Sequence, residues 1–297
     1  MITLRHHLLT IVAVFLALAA GIVLGGGPLS GVGPAVTTAA TERSDAPPQT
    51  TAQADYDEAW VSALTAPVLG GRLADRSVVL VTVPGADEQV VADLSAQVEA
   101  AGGTVAGRYA LGADLVDPAQ KSLVDTLGSQ LLTQQAEGVV PAEASTYDRI
   151  GQLIGLAVAS KEADGEDTTR RTRAIADAVS GAGLMELPGD AQRRAPLVLL
   201  VLGTDAGDEG SDAILSGLVD GLASQAMGVV VAGTLADGDT GQLGRLRATP
   251  SATRVTTVDG IDTLAGRATA VMALARALTT PSGSFGASGA DGPVPLG

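Results

Sequence analysis

Acidic side chains follow two apolar segments in the second half of the chain, and their types and spacing suit cation chemistry. They are Asp205, Asp208, Glu209 and Asp212 after the segment 196–203, and Asp237 and Asp239 after the segment 228–234. If both segments are parallel strands, their carboxyl ends meet at the sheet edge where such folds place their sites. Oxygen ligands suit a hard cation, although the spacing matches no ordered calcium loop and assigns no particular metal. We therefore predict acidic, cation-facing loops, against the alternative that these residues only cap helices and form turns.

Other chemistries find little support in the residue types. A Ser or Cys nucleophile needs a base, yet the chain has no cysteine and its two histidines are His6 and His7. The loop 83–88 lacks the glycine spacing of a phosphate-binding loop and carries two acids. For a soft metal, the later chain offers only the thioethers of Met185, Met227 and Met272, which lie in apolar segments. These patterns predict a protein that is not an enzyme, uses no cofactor and binds no nucleotide.

The elements that position these residues alternate between strand and helix. Continuous apolar runs at 77–84 and 196–203 predict strands covered on both faces, and the spacing over 77–111 predicts a βαβ unit. Helical spacing between the two runs predicts a helical layer at 118–132, 146–160 and 168–184. One apolar stripe in it, Ile150, Leu153, Ile154 and Ala157, either packs on the sheet or contacts another subunit. The predicted fold class is α/β, with a mostly parallel Rossmann-like or flavodoxin-like sheet and helical layers.

The N-terminal segment 8–27 is apolar and uncharged, and as a helix it would span about 30 Å, the thickness of a bilayer core. We predict a retained single transmembrane helix rather than a cleaved signal, because apolar residues continue beyond the cleavage-like 17–19. The basic flank at Arg5 predicts a cytoplasmic N-terminus, with the remainder outside the cell membrane. Small residues spaced by four predict a helix-association stripe, unless they reflect composition alone: Ala13, Ala17, Gly21 and Gly25.

The chain therefore divides into a transmembrane anchor at 1–27, a flexible linker at 28–55, an extracytoplasmic α/β domain at 56–278 and a disordered tail at 279–297. The linker carries four prolines and no apolar periodicity. A helix is predicted from Tyr56, with Trp60, Leu64 and Val68 on one face and an interruption at Pro67. The net charge of −15 disfavours nucleic acid as a partner, and without cysteine no disulfide can form.

Several segments resemble the mycobacterial copper transport protein B family. They are MITLRHH at 1–7, FLALA at 15–19, GIVLG at 21–25, LGGRLADRSVVLV at 69–81, PGAD at 84–87, TTVDGIDT at 256–263 with Gly266 and the helix around 273–274, and in part SFG at 284–286. The resemblance implies an envelope protein of copper homeostasis, described in the family as a copper-exporting outer-membrane channel. Some relatives are instead associated with daughter-cell separation. The family usually places a coiled-coil helix directly after the anchor, where this chain has its proline-bearing linker.

Two functional hypotheses follow. In the first, the bilayer-anchored chain serves copper homeostasis as a homo-oligomer, and export would run through a ring whose lumen is lined by the acidic loops. In the second, it is a non-catalytic envelope scaffold that supports cell separation by docking a cell-wall-remodelling partner, and the linker gives the domain reach.

Overall fold

The computed structural model describes residues 51–189 and 192–296. The predicted anchor, with the stripe Ala13, Ala17, Gly21 and Gly25, lies outside these residues, as does most of the predicted linker. Among the helices of the described ranges, none has both the length and the apolarity that a membrane crossing requires.

Helices and strands alternate along most of the described chain. The α-helices are α1 (Thr51–Leu69), α2 (Glu88–Ala100), α3 (Ala113–Val116), α4 (Lys121–Leu131), α5 (Thr146–Val158), α6 (Arg170–Gly181), α7 (Glu209–Ala223), α8 (Gln242–Arg247) and α9 (Leu264–Ala277). The strands are β1 (Ser77–Thr82), β2 (Thr104–Leu111), β3 (Glu166–Asp167), β4 (Met185–Glu186), β5 (Arg193–Arg194), β6 (Leu197–Val201), β7 (Gly228–Gly233), β8 (Thr256–Asp259) and β9 (Gly283–Phe285).

Seven strands form one sheet in the order β4-β2-β1-β6-β7-β8-β9, and β3 pairs with β5 separately. All pairings in the large sheet are parallel except that of β4 with β2. The chain builds outward from β1 to β2 on one side and then returns to β6 on the other. This is the strand order of a doubly wound sheet, with its switch point between β1 and β6. The predicted α/β class with a mostly parallel sheet is confirmed.

The sheet separates two apolar layers, which explains why its central strands are continuously apolar. On β1, Val79 and Val81 face the layer formed by α3–α8, whereas Val78 and Leu80 face α1, α2 and α9. All four side chains are fully buried. A strand that is covered on both faces has no solvent-facing positions for alternating polar residues. The apolar runs at 77–84 and 196–203 therefore correctly predicted β1 and β6.

Helix α5 crosses α7 at close range because both helices place glycines at the contact. A Cβ on Gly221 would lie 2.5 Å from the backbone oxygen of Asp148, and one on Gly151 would lie 2.8 Å from that of Leu218. The predicted stripe on α5 is buried within the chain's own core: Ile150, Leu153, Ile154 and Ala157. It therefore packs in the layer beside the sheet, and the alternative of a subunit contact is wrong for this stripe.

Both boundaries of the domain differ from the sequence prediction. The residues 51–55, assigned to the linker, already belong to helix α1, which continues through Pro67 to Leu69. Because Pro67 lies in the last turn, its missing N–H costs one hydrogen bond near the end of the helix and does not interrupt it. The predicted disordered tail supplies β9, whose Phe285 is buried against β8 and α9.

The connection to β9 is unusual for a parallel sheet. Helices α7 and α8 lie on one face as the chain steps from β6 to β7 and β8, but α9 lies on the opposite face while the chain steps in the same direction. The β8–α9–β9 unit therefore has the opposite hand from its neighbours. Since almost all such crossovers are right-handed, pattern rules do not anticipate this strand.

Candidate functional site

An arginine from α8 lies among the acidic residues at the carboxyl edge of the sheet. Arg245 donates from Nε to Oδ2 of Asp212 at 2.6 Å and from Nη2 to Oδ1 of Asp205 at 2.7 Å. The hydrogen bond from Arg245 lowers the pKa of Asp205, and the bonds to Asp212 and Asp205 raise the pKa of Arg245. Arg245, on α8, thus joins the loop after β6 to the first turn of α7. We call the cluster of Arg245, Asp205 and Asp212 the Arg245 clasp.

Two further acids of the predicted set act within local structure. Asp208 caps α7 by accepting the backbone N–H of Ser211 at 2.9 Å and its hydroxyl at 2.8 Å, and the backbone bond lowers the pKa of Asp208. Asp237 is buried and accepts the N–H of Thr234 at 2.7 Å and its hydroxyl at 2.8 Å. For Asp208 and Asp237, the structure shows the capping role that was the alternative interpretation.

Glu209 and Asp239 are exposed at the same end of the sheet, and Asp239 adopts a left-handed backbone with φ of 45°. The structure thus brings Asp205 and Asp212 together through Arg245 and leaves Glu209 and Asp239 facing solvent. Within residues 51–189 and 192–296, His, Cys, Asp and Glu side chains form no group of three or more that is arranged to hold a metal ion. The cation-facing role of these loops stays a prediction.

The switch-point crevice, where doubly wound folds hold nucleotides, is occupied by the protein's own loops. The backbone N–H of Thr204, after β6, donates to the carbonyl oxygen of Pro84, after β1, at 3.0 Å. A Cβ on Gly85, which has φ of 87°, would lie 2.8 Å from the Thr204 nitrogen, and one on Gly203 would lie 2.6 Å from the Val83 oxygen. The two loops lie against each other here, at the place a ligand's phosphate would take.

A buried ion pair that the residue patterns did not single out as a site holds the last strand in place. Arg247 donates from Nη2 to Oδ1 of Asp259 at 2.7 Å and to the carbonyl of Phe285 at 2.8 Å. Asp259 is 1% exposed and also accepts the N–H of Ser288 at 2.9 Å. A Cβ on Gly286 would lie 2.6 Å from Asp259 Oδ1. The only sequence signal for this cluster was the pair of segments, TTVDGIDT and SFG, that carry the family resemblance.

The thioether sulfurs are mostly unavailable to a metal. Met185 and Met272 are 1% and 4% exposed, and each belongs to an apolar layer of the core. Met227 is partly buried at the turn before β7. Met185 and Met272 therefore pack as core side chains, which is the ordinary role of methionine in an apolar segment.

Helix α1 packs on the domain through one face, which lies next to the face that carries Trp60. Leu69 is buried and Val61 and Thr65 are partly buried, whereas every residue from 51 to 60 is exposed. Trp60 is 57% exposed. Together with α9 and the last residues of the chain, the neighbouring stripe borders a cavity of about 420 Å³, which we call the α1–α9 groove; its apolar lining includes Trp60, Leu64, Val68, Ala268, Met272 and Val294.

Fold and site together define a doubly wound α/β domain whose switch point is closed by backbone and whose acidic edge is fastened by an arginine. The chain belongs to the family described as copper transport outer membrane protein, MctB, which matches residues 1–295. The copper transporter MctB of Mycobacterium tuberculosis strain H37Rv is 29% identical to it over 303 residues, covering 92% of each chain. The protein of the same name from Mycobacterium leprae aligns with the same identity and coverage.

Proposed function

We propose that the protein serves copper homeostasis in the cell envelope, as a non-catalytic membrane-anchored subunit of a homo-oligomer that exports copper. The family match over residues 1–295 carries this proposal, together with relatives named copper transporters along 92% of the chain. In the proposed topology the N-terminus is cytoplasmic and the α/β domain lies outside the cell membrane. The family description supports association with the outer membrane as well.

In this proposal copper is cargo that passes the α/β domain without being held tightly. Burial of Met185 and Met272 supports this, because their sulfurs already pack in the core. The exposed carboxylates of Glu209 and Asp239, in a chain of net charge −15, would raise the local concentration of cations without fixing one in place. The Arg245 clasp sets the relative position of the loops that carry them.

A deletion strain tests the proposal directly. Cells without the gene are expected to accumulate copper and to stop growing at lower copper concentrations, while their septa remain normal. Complementation with the wild-type gene should restore tolerance. A Glu209→Gln, Asp239→Asn double variant should restore it only in part, whereas Asp164→Asn, which removes an exposed acid elsewhere, should restore it fully. Wild-type copper content and tolerance in the deletion strain would refute the proposal.

The α1–α9 groove favours a second candidate function, an envelope scaffold that supports cell separation by docking a cell-wall-remodelling partner. Trp60 and Leu64 are exposed on a helix whose residues 51–60 are all exposed. A large exposed apolar side chain at a groove is typical of a protein-binding surface. The same helix carries no Lys or Arg, and three acids precede the groove on it: Asp55, Asp57 and Glu58.

Charge complementarity supports one kind of occupant under this second proposal. A second copy of α1 would bring like charges together, so we propose a partner helix with an apolar face flanked by Lys or Arg. Chained cells with normal copper tolerance, in the deletion strain and in a strain carrying Trp60→Ser, would support the scaffold. Normal cell separation in both strains would refute it.

A further inference from the structure

A second cavity, of about 610 Å³, lies beside the edge strand β9 and differs in character from the α1–α9 groove. We call it the edge cavity. Its wall comes from β8, β9, the turn after α8 and the C-terminal end of α9, and it is rich in hydroxyl groups and guanidinium groups. Its lining includes Arg276, Ser284, Thr249, Thr253, Arg247 and Asp291.

Of the two arginines in this cavity, Arg276 is the one that forms no ion pair with a carboxylate of the described residues. Its Nη1 donates to the carbonyl of Ser282 at 2.7 Å and to that of Thr280 at 3.3 Å, and its guanidinium carbon lies 5.3 Å from the centre of the Phe285 ring. Among the described residues, its side-chain hydrogen bonds all leave from Nη1. The guanidinium is therefore held in place while Nε and Nη2, the edge that grips an oxyanion with two parallel bonds, stay free to donate.

A second donor in the wall lacks a partner. The hydroxyl oxygen of Ser284 is buried and makes no hydrogen bond with the described part of the chain. The backbone of the same residue is held on both sides, because its N–H donates to Asp291 Oδ2 at 2.8 Å and its carbonyl accepts the N–H of Asp291 at 2.9 Å. A polar group that is buried without a partner costs free energy, and a ligand atom bonded to it would remove that cost.

Two more hydroxyls are oriented as acceptors. Thr249 donates its hydroxyl to the carbonyl of Leu246 at 2.8 Å, and Thr253 donates its own to the carbonyl of Pro250 at 2.8 Å. Each oxygen keeps lone pairs that accept from a ligand hydroxyl. Arg247, in contrast, has hydrogen bonds from all three of its nitrogens, to Thr257, Ser288, Asp259 and Phe285, and serves as structure.

We propose that the edge cavity binds a small polyhydroxy carboxylate, a sugar-acid type of ligand. The carboxylate would pair with the free edge of Arg276, the ligand's hydroxyls would donate to Thr249 and Thr253, and Ser284 would donate to the ligand. One unpaired guanidinium, with the exposed carboxylate of Asp291 in the same wall, matches a single negative charge and disfavours a dianion such as phosphate. The volume lies in the range of small-molecule sites.

In the experiment, the purified full chain in detergent is titrated separately with gluconate, sorbitol and inorganic phosphate at constant ionic strength. Isothermal titration calorimetry measures the binding. Gluconate is expected to bind saturably in the millimolar range or tighter, and sorbitol, which has the hydroxyls without the carboxylate, at least tenfold more weakly. Arg276→Gln should weaken gluconate at least tenfold and Ser284→Ala several-fold. Arg170→Gln, at an exposed arginine on α6, should leave it unchanged.

Three outcomes would overturn the proposal. The first is that gluconate shows no saturable binding up to about 10 mM, the weakest affinity expected of one charged contact. The second is equal binding of gluconate and sorbitol. The third is tighter binding of phosphate than of gluconate. If Arg276→Gln lowers the melting temperature, Ser284→Ala decides the matter, because it removes one hydroxyl that bonds to nothing in the described chain. Unchanged gluconate affinity in a folded Ser284→Ala variant would count against the cavity.

Discussion

Arg247 and Asp259 form a buried ion pair, with 2.7 Å between Nη2 and Oδ1, at the point where the final strand joins the sheet. The two side chains are 13% and 1% exposed. Asp259 also receives the N–H of Ser288, and Gly286 leaves room for this approach. One carboxylate therefore fastens β8, α8 and the residues after β9 together.

We predict that Asp259→Ala lowers the free energy of unfolding by about 3–5 kcal/mol, because it leaves the Arg247 charge buried without its partner. Urea denaturation of the variant measures this. The control is Asp164→Ala, which removes the exposed partner of Arg76 and should cost less than about 1 kcal/mol. Equal effects of the two substitutions would mean that the buried pair does not hold the last strand.

The contact between α5 and α7 predicts a strong effect of one methyl group. Gly221→Ala should destabilise the domain by about 1–3 kcal/mol, because the new Cβ would lie 2.5 Å from the Asp148 oxygen and the Gln152 nitrogen. Gly181→Ala, at the end of α6, is the matched control. No atom of residues 51–189 or 192–296 lies within 4 Å of its added Cβ, so the substitution should be neutral or stabilising by up to about 1 kcal/mol. Thermal unfolding followed by circular dichroism compares the two variants.

The Arg245 clasp predicts a pH dependence of stability. Hydrogen bonds lower the pKa of Asp205 and Asp208 below the ordinary value of 3.8 in the folded state. Groups with lowered pKa values stabilise the fold above that value, and the contribution is lost as the pH falls through their folded-state pKa. Arg245→Gln should therefore lower the melting temperature at pH 7, and its curve should approach that of the wild type below about pH 4. A constant difference between the curves from pH 7 to pH 3 would contradict this account.

Trp60 is the single tryptophan of the chain, so its fluorescence reports on the α1–α9 groove alone. At 57% exposure its emission should be red-shifted and readily quenched by acrylamide. Trp60→Ala should change the free energy of unfolding by less than about 0.5 kcal/mol, since the side chain lies on the surface. Leu69→Ala, at the buried end of the same helix, should cost about 2–5 kcal/mol. A large loss of stability in Trp60→Ala would mean that this side chain supports the fold rather than docking.

Much of the sheet was predictable because central parallel strands carry a strong local signal. The runs that became β1 and β6 are almost wholly apolar, and the predicted βαβ unit over 77–111 contains β1, α2 and β2. Strand β9 gave no such signal. Its three residues lie in a segment rich in Ser, Gly and Ala, and that segment is held beside β8 by contacts with residues more than 20 positions earlier, Asp259 among them.

The candidate site was predicted in part. Sequence placed the acidic loops at the carboxyl edge of the sheet, and the structure puts them there. The sequence did not show that Arg245, 40 positions away in the chain, donates a hydrogen bond to Asp205. The Asp205 carboxylate was therefore expected to face a cation from solvent, whereas in the structure it is paired with Arg245. The exposure of Trp60 could not be predicted from the sequence either, because it also depends on residues distant in the chain. Periodicity identifies an apolar face but does not show which neighbour covers it.

Copper content per cell is the measurement that tests the central claim most directly. The deletion strain and its complemented counterpart would be grown in copper just below the inhibitory concentration and analysed by mass spectrometry. Copper homeostasis through this protein predicts a higher copper content in the deletion strain, restored to the wild-type level by complementation, with iron and zinc unchanged. Equal copper in the deleted, complemented and wild-type strains would contradict the claim.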